Sequence, residues 1–456
     1  MTRNRSLIAG LLLATTIPVV AVAYALQVLN GVPLADEWRW LRNLLIPHLR
    51  GEIGFGGYLA GEYAFLGHTH FLTLLAFYLD HRWAGLDLER LAQFGLVFYV
   101  AGYALLVSYL RAQASRPVPA QWLALAALAA AYFPLTTDFP WGLVVFEYVY
   151  YFGALALLLV FDAYLRGRLA LWAPVLAFFL APVLLESFGP VAVAACLAVY
   201  FAGFRRRAGG LLAPVAMILG HGAAWLLMYL LLGAGQPTAS TSRWVVLQAL
   251  LANPQDVVLS LLVSLSQPLA DRAVLGHWLP ETFRWAQAAI GLSGGALVLA
   301  VLAAYRRRLR PAGSELPFLL AAFSLASWAG ILLTRYLDFG VAVMDAQRFT
   351  RFFVPWYLAV AAALFLGRFG LRFVLAALAL LLAAFLSGAA FQFRNAVHVH
   401  AYFEGAAQAL RQEPLDAQAL SRYIGQCGQS YCDDTIRFLR GSGLPLFRVD
   451  QAAPAR

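Results

Sequence analysis

Residues 62–86 read EYAFLGHTHFLTLLAFYLDHRWAGL, and whether this stretch crosses a membrane decides the topology of everything after it. It is apolar enough to suggest a span. It also carries Glu62, His68, His70, Asp80, His81 and Arg82, groups that are costly in hydrocarbon. A crossing here would put Arg111 on the outside and invert every later loop. The stretch is therefore expected as a helix lying at the outer interface. It belongs to one extracytoplasmic loop, residues 30–90, which holds a second short amphipathic helix around Glu37–Leu49.

Working outward, apolar runs of about 20 residues, the length a bilayer requires, recur along the whole chain. Candidate spans are 7–29, 91–110, 119–135, 143–164, 169–184, 187–204, 211–233, 286–305, 316–335, 352–367 and 372–393. The 456 residues are 62% hydrophobic and only 12% charged, with a mean hydropathy of +0.72. A soluble domain has about 45–50% apolar and about 25% charged residues. The fold class expected is an all-α polytopic membrane protein with about eleven transmembrane helices. No run of short alternating strands supports an outer-membrane barrel. The apolar part of the first segment exceeds the roughly 7–15 residues of a signal-peptide core, so it reads as an uncleaved first span.

The net charge is +10, and every basic residue is Arg. Arg in place of Lys throughout suggests a GC-rich bacterial genome. The excess needs no nucleic acid to explain it, because the arginines cluster in short loops, the positive-inside pattern. Arg3 and Arg5, Arg111 and Arg116, Arg166 and Arg168, Arg205–Arg207, Arg306–Arg308 with Arg310, and Arg368 with Arg372 all fall on one side. Asp138, Glu186, Asp256, Asp271, Glu281, Asp338 and Asp345 fall on the other. The N-terminus is then cytoplasmic, and the membrane is the bacterial cytoplasmic one. Residues 1–393 make the membrane domain and 394–456 a polar extracytoplasmic tail. In the tail, Cys427 and Cys432 are spaced for a local disulfide. Residues 234–285 hold VVLSLLVSLSQPL, a re-entrant or interfacial helix. There is no internal repeat, P-loop, HExxH or GxSxG.

Span centres are nearly free of ionisable groups, unlike those of ion-coupled transporters. His221 is the main exception, and a hydrogen-bonded buried role suits it. Charge and aromatics gather at outer span ends instead. GVPLADEWRW, residues 31–40, puts Asp36 and Glu37 a few residues beyond the first span. The pair reads as a helix cap and first turn, or as a catalytic acidic pair. Trp38 and Trp40 mark the interface, and His68 and His70 come back in the same loop. Sugar transfer from a polyprenyl phosphate would use these parts. The donor lipid stays in the membrane, the phosphate departs without a general acid, and a carboxylate takes the acceptor hydroxyl's proton. Arginines or a divalent metal would steady the departing phosphate.

A first span followed by an acidic pair, two interfacial helices in the first outer loop and an outer C-terminal segment resembles the GT-C superfamily of integral membrane glycosyltransferases. The closer similarity is to uncharacterised bacterial members, through ADEWRWL, GHTHFLTLLAFYLDHRWAGLD and, more loosely, DAQRFTRFF from Asp345 to Phe353. The resemblance implies a polyprenyl-phosphate sugar donor, an inverting transfer to an extracytoplasmic glycan or lipid acceptor, and a first-loop carboxylate as base. That role falls on Asp36, with Glu37 as partner, second candidate or metal ligand. His68 and His70 would face the donor phosphate, and Arg348 and Arg351 could hold it or simply anchor the interface. Glu147 reads as cavity lining or as a solvated turn residue, and Tyr148, Tyr150 and Tyr151 as a sugar-stacking group or an interfacial aromatic belt. A flippase of lipid-linked glycans and an O-antigen ligase-like enzyme are the competing readings. Midplane charge and repeated halves would favour the first, and one large late outer loop rich in Arg and His the second.

Overall fold

In a computed structural model the described residues are 2–33, 36–66, 71–113, 118–135, 144–184, 212–232, 243–308, 313–346, 349–413, 415, 416, 418, 420 and 429–441. Among them the regular structure is helix, without strands. The helices are α1 (Thr2–Val28), α2 (Asp36–Trp40), α3 (Ile46–Leu49), α4 (Phe55–Leu66), α5 (Phe71–Ala84), α6 (Leu88–Arg111), α7 (Pro119–Tyr132), α8 (Val144–Leu165) and α9 (Trp172–Leu184). They continue as α10 (Leu212–Leu232), α11 (Arg243–Ala252), α12 (Pro254–Ser266), α13 (Arg272–Trp278), α14 (Phe283–Arg308), α15 (Leu316–Phe339), α16 (Thr350–Leu366), α17 (Leu371–Arg411) and α18 (Gln429–Gly441). A π-turn over Leu41–Leu45 joins α2 to α3, and a 3-10 turn over Gly340–Asp345 follows α15.

Six helices among the described residues are long and apolar enough to cross a bilayer: parts of α1, α6, α8, α14, α15 with its 3-10 turn, and α17. The chain is a multi-pass membrane protein. A seventh crossing arises if α11 and α12 count as one span; they meet at a 96° bend, where Pro254 opens α12. This is the segment expected to re-enter or lie in the interface. The segments 119–135, 169–184, 211–233 and 352–367, expected as spans, contain the helices α7, α9, α10 and α16, which are not among those six. The expected span 187–204 lies outside the described residues, as do Cys196 and Cys427.

α7 and α16 are the centre of the bundle. At 14 and 17 residues they run about 21 and 25 Å, short of a ~30 Å hydrocarbon layer. Longer helices enclose them, which is why almost every α16 residue from Thr350 to Phe365 is buried. The Ala-rich stretch of α7 has little side-chain bulk, so neighbouring backbones come close. Gly10 of α1 lies directly against the Trp122 backbone. Gln121 donates to the Phe365 carbonyl at 2.7 Å, tying α7 to the end of α16.

The arginine-rich ends come together. Arg111 lies 5.4 Å from the Trp122 ring and Arg308 4.4 Å from Phe369. Asp162, fully buried in α8, accepts from the Tyr109 and Ser314 hydroxyls and from the Glu315 N–H. The opposite end is capped by a second apolar core, distinct from that of the bundle. Trp38, Trp40, Leu41, Leu44 and Leu45 of the first loop pack there with Tyr58, Leu74 and Phe77, and with Phe403, Leu410, Ile436 and Leu439 from the C-terminal part.

The described residues within 62–86 are largely helical. They divide between α4 and α5, of 12 and 14 residues, each too short to span. The tail differs from expectation. α17 runs unbroken for 41 residues across position 393, about 61 Å at 1.5 Å per residue. It leaves the bundle and becomes a wall of the cap.

Candidate functional site

The first span ends where the Asn30 side-chain carbonyl accepts the Val32 N–H at 2.9 Å, a local turn that competes with continued helix. Pro33 follows, and α2 begins at Asp36. The environment of the Asp36 side chain lies outside what is described. Glu37 has no exposed surface, and Trp38 and Trp40 are each 1% exposed. The reading of these tryptophans as interfacial belt residues is therefore corrected: they fill the cap core. Trp40 meets Phe77 edge-on at 5.6 Å.

α3, α4 and α5 are bound by an aromatic group. His48 stacks on Tyr58 at 5.3 Å, Phe55 approaches Tyr78 at 4.8 Å, and the Tyr58 hydroxyl donates to the Leu74 carbonyl at 2.7 Å. α5 is fixed to the start of α6 by Asp80. It accepts two bonds from Arg90, at 2.7 and 3.0 Å, and one from the Asp87 N–H at 2.6 Å. Burial holds the His81 imidazole below its ordinary value, opposed by the Asp80 carboxylate. Asp87 in turn caps α6 by accepting from Glu89 and Arg90 N–H groups.

Beside this layer is a cavity of about 360 Å³. Its walls are residues 29–33 after α1, residues 86–89 at the start of α6, Leu41 of the π-turn, α17 and α18. Its polar lining is Asn30, Asp87, Glu89, His400, Glu404 and Arg411. Three carboxylates against one arginine make it an acidic site, suited to hydroxyl-bearing or cationic ligands rather than to a bare phosphate. Sequence reasoning did not single these residues out. His400, Glu404 and Arg411 do fall on one helical face by their spacing of four and seven, a signal that is readable only once the tail is taken as helix.

The other expected residues are placed differently. Arg351 is 5% exposed. It forms an ion pair and hydrogen bond with Glu147, donates to the Tyr148 hydroxyl at 3.3 Å and lies 4.2 Å from the Tyr148 ring centre. Tyr99 stacks on Tyr148 at 4.4 Å and on Tyr132 at 4.9 Å. Arg351 is thus neutralised in a tyrosine box and does not present a free cation to a phosphate. The tyrosines expected as a surface belt are core residues. Val149, two residues past Glu147, packs in the cap core, so the box and the first-loop layer are neighbours across the start of α8. His68, His70 and Arg348 lie outside the described residues. No three His, Cys, Asp or Glu side chains among the described residues gather as a metal-binding group. No known protein family, characterised protein or solved structure matches this chain.

Proposed function

We propose that this chain is a membrane glycosyltransferase of GT-C type. It transfers a sugar from a polyprenyl-phosphate donor to a glycan or lipid acceptor of the cell envelope, with inversion. In this reading the arginine-rich end is cytoplasmic and the capped end extracytoplasmic. The chain crosses the cytoplasmic membrane about eleven times, and the donor reaches the cap from the lipid.

The observation that supports this most is the position of α2. It opens with the acidic pair a few residues past the first span, and the same helical stretch supplies Leu41 to the wall of the acidic cavity. The acceptor hydroxyl oxygen would attack the sugar's anomeric carbon from the face opposite the phosphate. Its bond to carbon forms as the carbon–phosphate-oxygen bond breaks, and that electron pair leaves on the phosphate. The hydroxyl proton passes to Asp36, the general base. Glu37, buried next to it in sequence, is its partner or the second candidate for the base. The carboxylates of the cavity offer acceptors for sugar or acceptor hydroxyls.

Membranes carrying Asp36→Asn, supplied with labelled lipid-linked sugar, are expected to lose at least about a hundredfold in transfer, with insertion and protein level unchanged. Glu37→Gln is expected to lose less. Transfer at the native rate by Asp36→Asn would remove the base and with it this mechanism.

A further inference from the structure

We infer that Arg272 and Arg284, at the capped end of the bundle, form a binding site for the phosphate of a membrane lipid. Both arginines converge on one carboxylate. Arg284 Nη2 lies 2.5 Å and Arg272 Nη1 3.9 Å from the same Oδ2 of Asp345, whose side chain is 3% exposed. Both guanidinium groups also flank the Phe283 ring, at 5.1 and 5.8 Å. The buried Asp345 requires one cation. It is given two, and Gln287 donates to its other oxygen at 3.1 Å. Arg272 is the outer of the two, and its side chain is half-exposed.

The two arginines do not have equal structural reasons to be there. Arg284 has the short ion pair and a further hydrogen bond to Gln287. Arg272 is 56% exposed and donates no hydrogen bond to a described residue. Each also breaks a local rule. Arg272 is the first residue of α13 and Arg284 the second of α14, and a cation in a first turn opposes the helix dipole. Two such placements at one spot leave the exposed Arg272 guanidinium available to an anion. Neither nearby acid forms an ion pair with Arg272 among the described residues. Asp271 is occupied in capping α13 by accepting the Val274 N–H at 2.8 Å, and Glu281 forms no ion pair among the described residues.

The surroundings indicate which anion. Trp285, next to Arg284 in sequence, and Trp278, at the end of α13, are 79% and 63% exposed, and exposed indoles mark the headgroup level of a bilayer. Below Trp285, at successive intervals of seven, Leu292 and Leu299 are also more than 60% exposed. That spacing puts all three on one face of α14, an apolar track leading down from the guanidinium pair. A lipid with its phosphate on Arg272 and Arg284 and its chain along this track satisfies both features. Arg is suited to the task because its planar fork meets two phosphate oxygens at once. The site shares no residue with the acidic cavity, and lipid binding is read without turnover, so it stands or falls apart from sugar transfer.

The test uses the full chain in phosphatidylcholine nanodiscs. Polyprenyl monophosphate, phosphatidylglycerol and inorganic phosphate are titrated separately, and retention is read by native mass spectrometry. At least one of the two anionic lipids is expected to be retained, and the stronger identifies the source of the phosphate. Arg272→Gln, an exposed change that disturbs no hydrogen bond, is expected to weaken that retention about tenfold. Arg335→Gln, a control at another exposed arginine, is expected to leave it unchanged. Equal retention by Arg272→Gln and the native chain overturns the site. So does an equal loss in both variants, which would mean a diffuse positive field, or saturation by inorganic phosphate at the lipids' concentrations.

Discussion

Asp271 links α12 to α13 and is 4% exposed. Burial pushes its carboxyl up from 3.8 to about 6, against the backbone N–H groups of Val274 and Ala273, which favour the charged form. The native state therefore holds the proton more tightly than the unfolded chain. Stability from this group is fully present below about pH 4 and is lost as pH rises through about 6. Over that interval the change is about 3 kcal/mol at 1.36 kcal/mol per unit. Asn keeps the helix-capping geometry and does not titrate. Thermal unfolding of Asp271→Asn in detergent should show a smaller loss of Tm between pH 4 and pH 7 than the native chain. Parallel pH profiles for the two proteins would show that the carboxyl titrates near its ordinary value. Arg351 makes the complementary point about charge. Its partner Glu147 is 204 positions away in the chain, and a buried pair loses far more on removal of one member than it adds over an apolar pair.

α12 and α14 approach backbone to backbone at Gly291. A methyl group added at Gly291 would overlap the Leu262 carbonyl, a backbone atom that cannot swing aside. Gly291 and Gly295 form the small-xxx-small spacing that lets membrane helices touch backbone to backbone. Gly291→Ala is expected to push the bent pair off α14 and to lower Tm by several degrees. Gly276→Ala, in open space on α13, should hold Tm or raise it slightly, since Ala favours helix. Equal Tm values for the two variants would show that α12 is loosely seated.

The elements also show what could be read from sequence. Long apolar runs were legible because each is local, and α1, α6, α8, α14, α15 and α17 answer to six of them. VVLSLLVSLSQPL was expected as a re-entrant or interfacial helix, and the 96° bend that precedes it was not legible from its composition. Nor were pairings across the chain. Ala396, Val399, Phe403, Ala406 and Leu410 announce a helical face in the tail, but nothing in them names its partner, which is the first loop. For the same reason DAQRFTRFF suggested Arg351 as a phosphate ligand, while Glu147, which neutralises it, belongs to another helix. The acidic cavity draws on α6 and α17 together, so no single motif contains it.

At the scale of the whole molecule, the cap is a contact between the two ends of the chain. Leu410 is fully buried, and it packs in the same core as Trp38, Trp40 and Leu41, more than three hundred residues earlier. The loop helices are short, five residues for α2 and four for α3, well below the length at which an isolated helix is stable in water. Their order must come from this packing. Leu410→Asp puts a charge into the cap core while leaving the apolar half of α17 in the bundle, so the loop should loosen without loss of the spans. Trypsin is the appropriate probe, because Arg39, Arg42 and Arg50 lie within the loop. In proteoliposomes with the capped end outward, the native loop should resist cleavage and the Leu410→Asp loop should be cut at these positions, with the apolar segments intact on both. Cleavage of the native loop at the same rate would show that the tail does not hold it. Cleavage only when trypsin is sealed on the side of the arginine-rich loops would invert the topology on which the acidic pair's role depends.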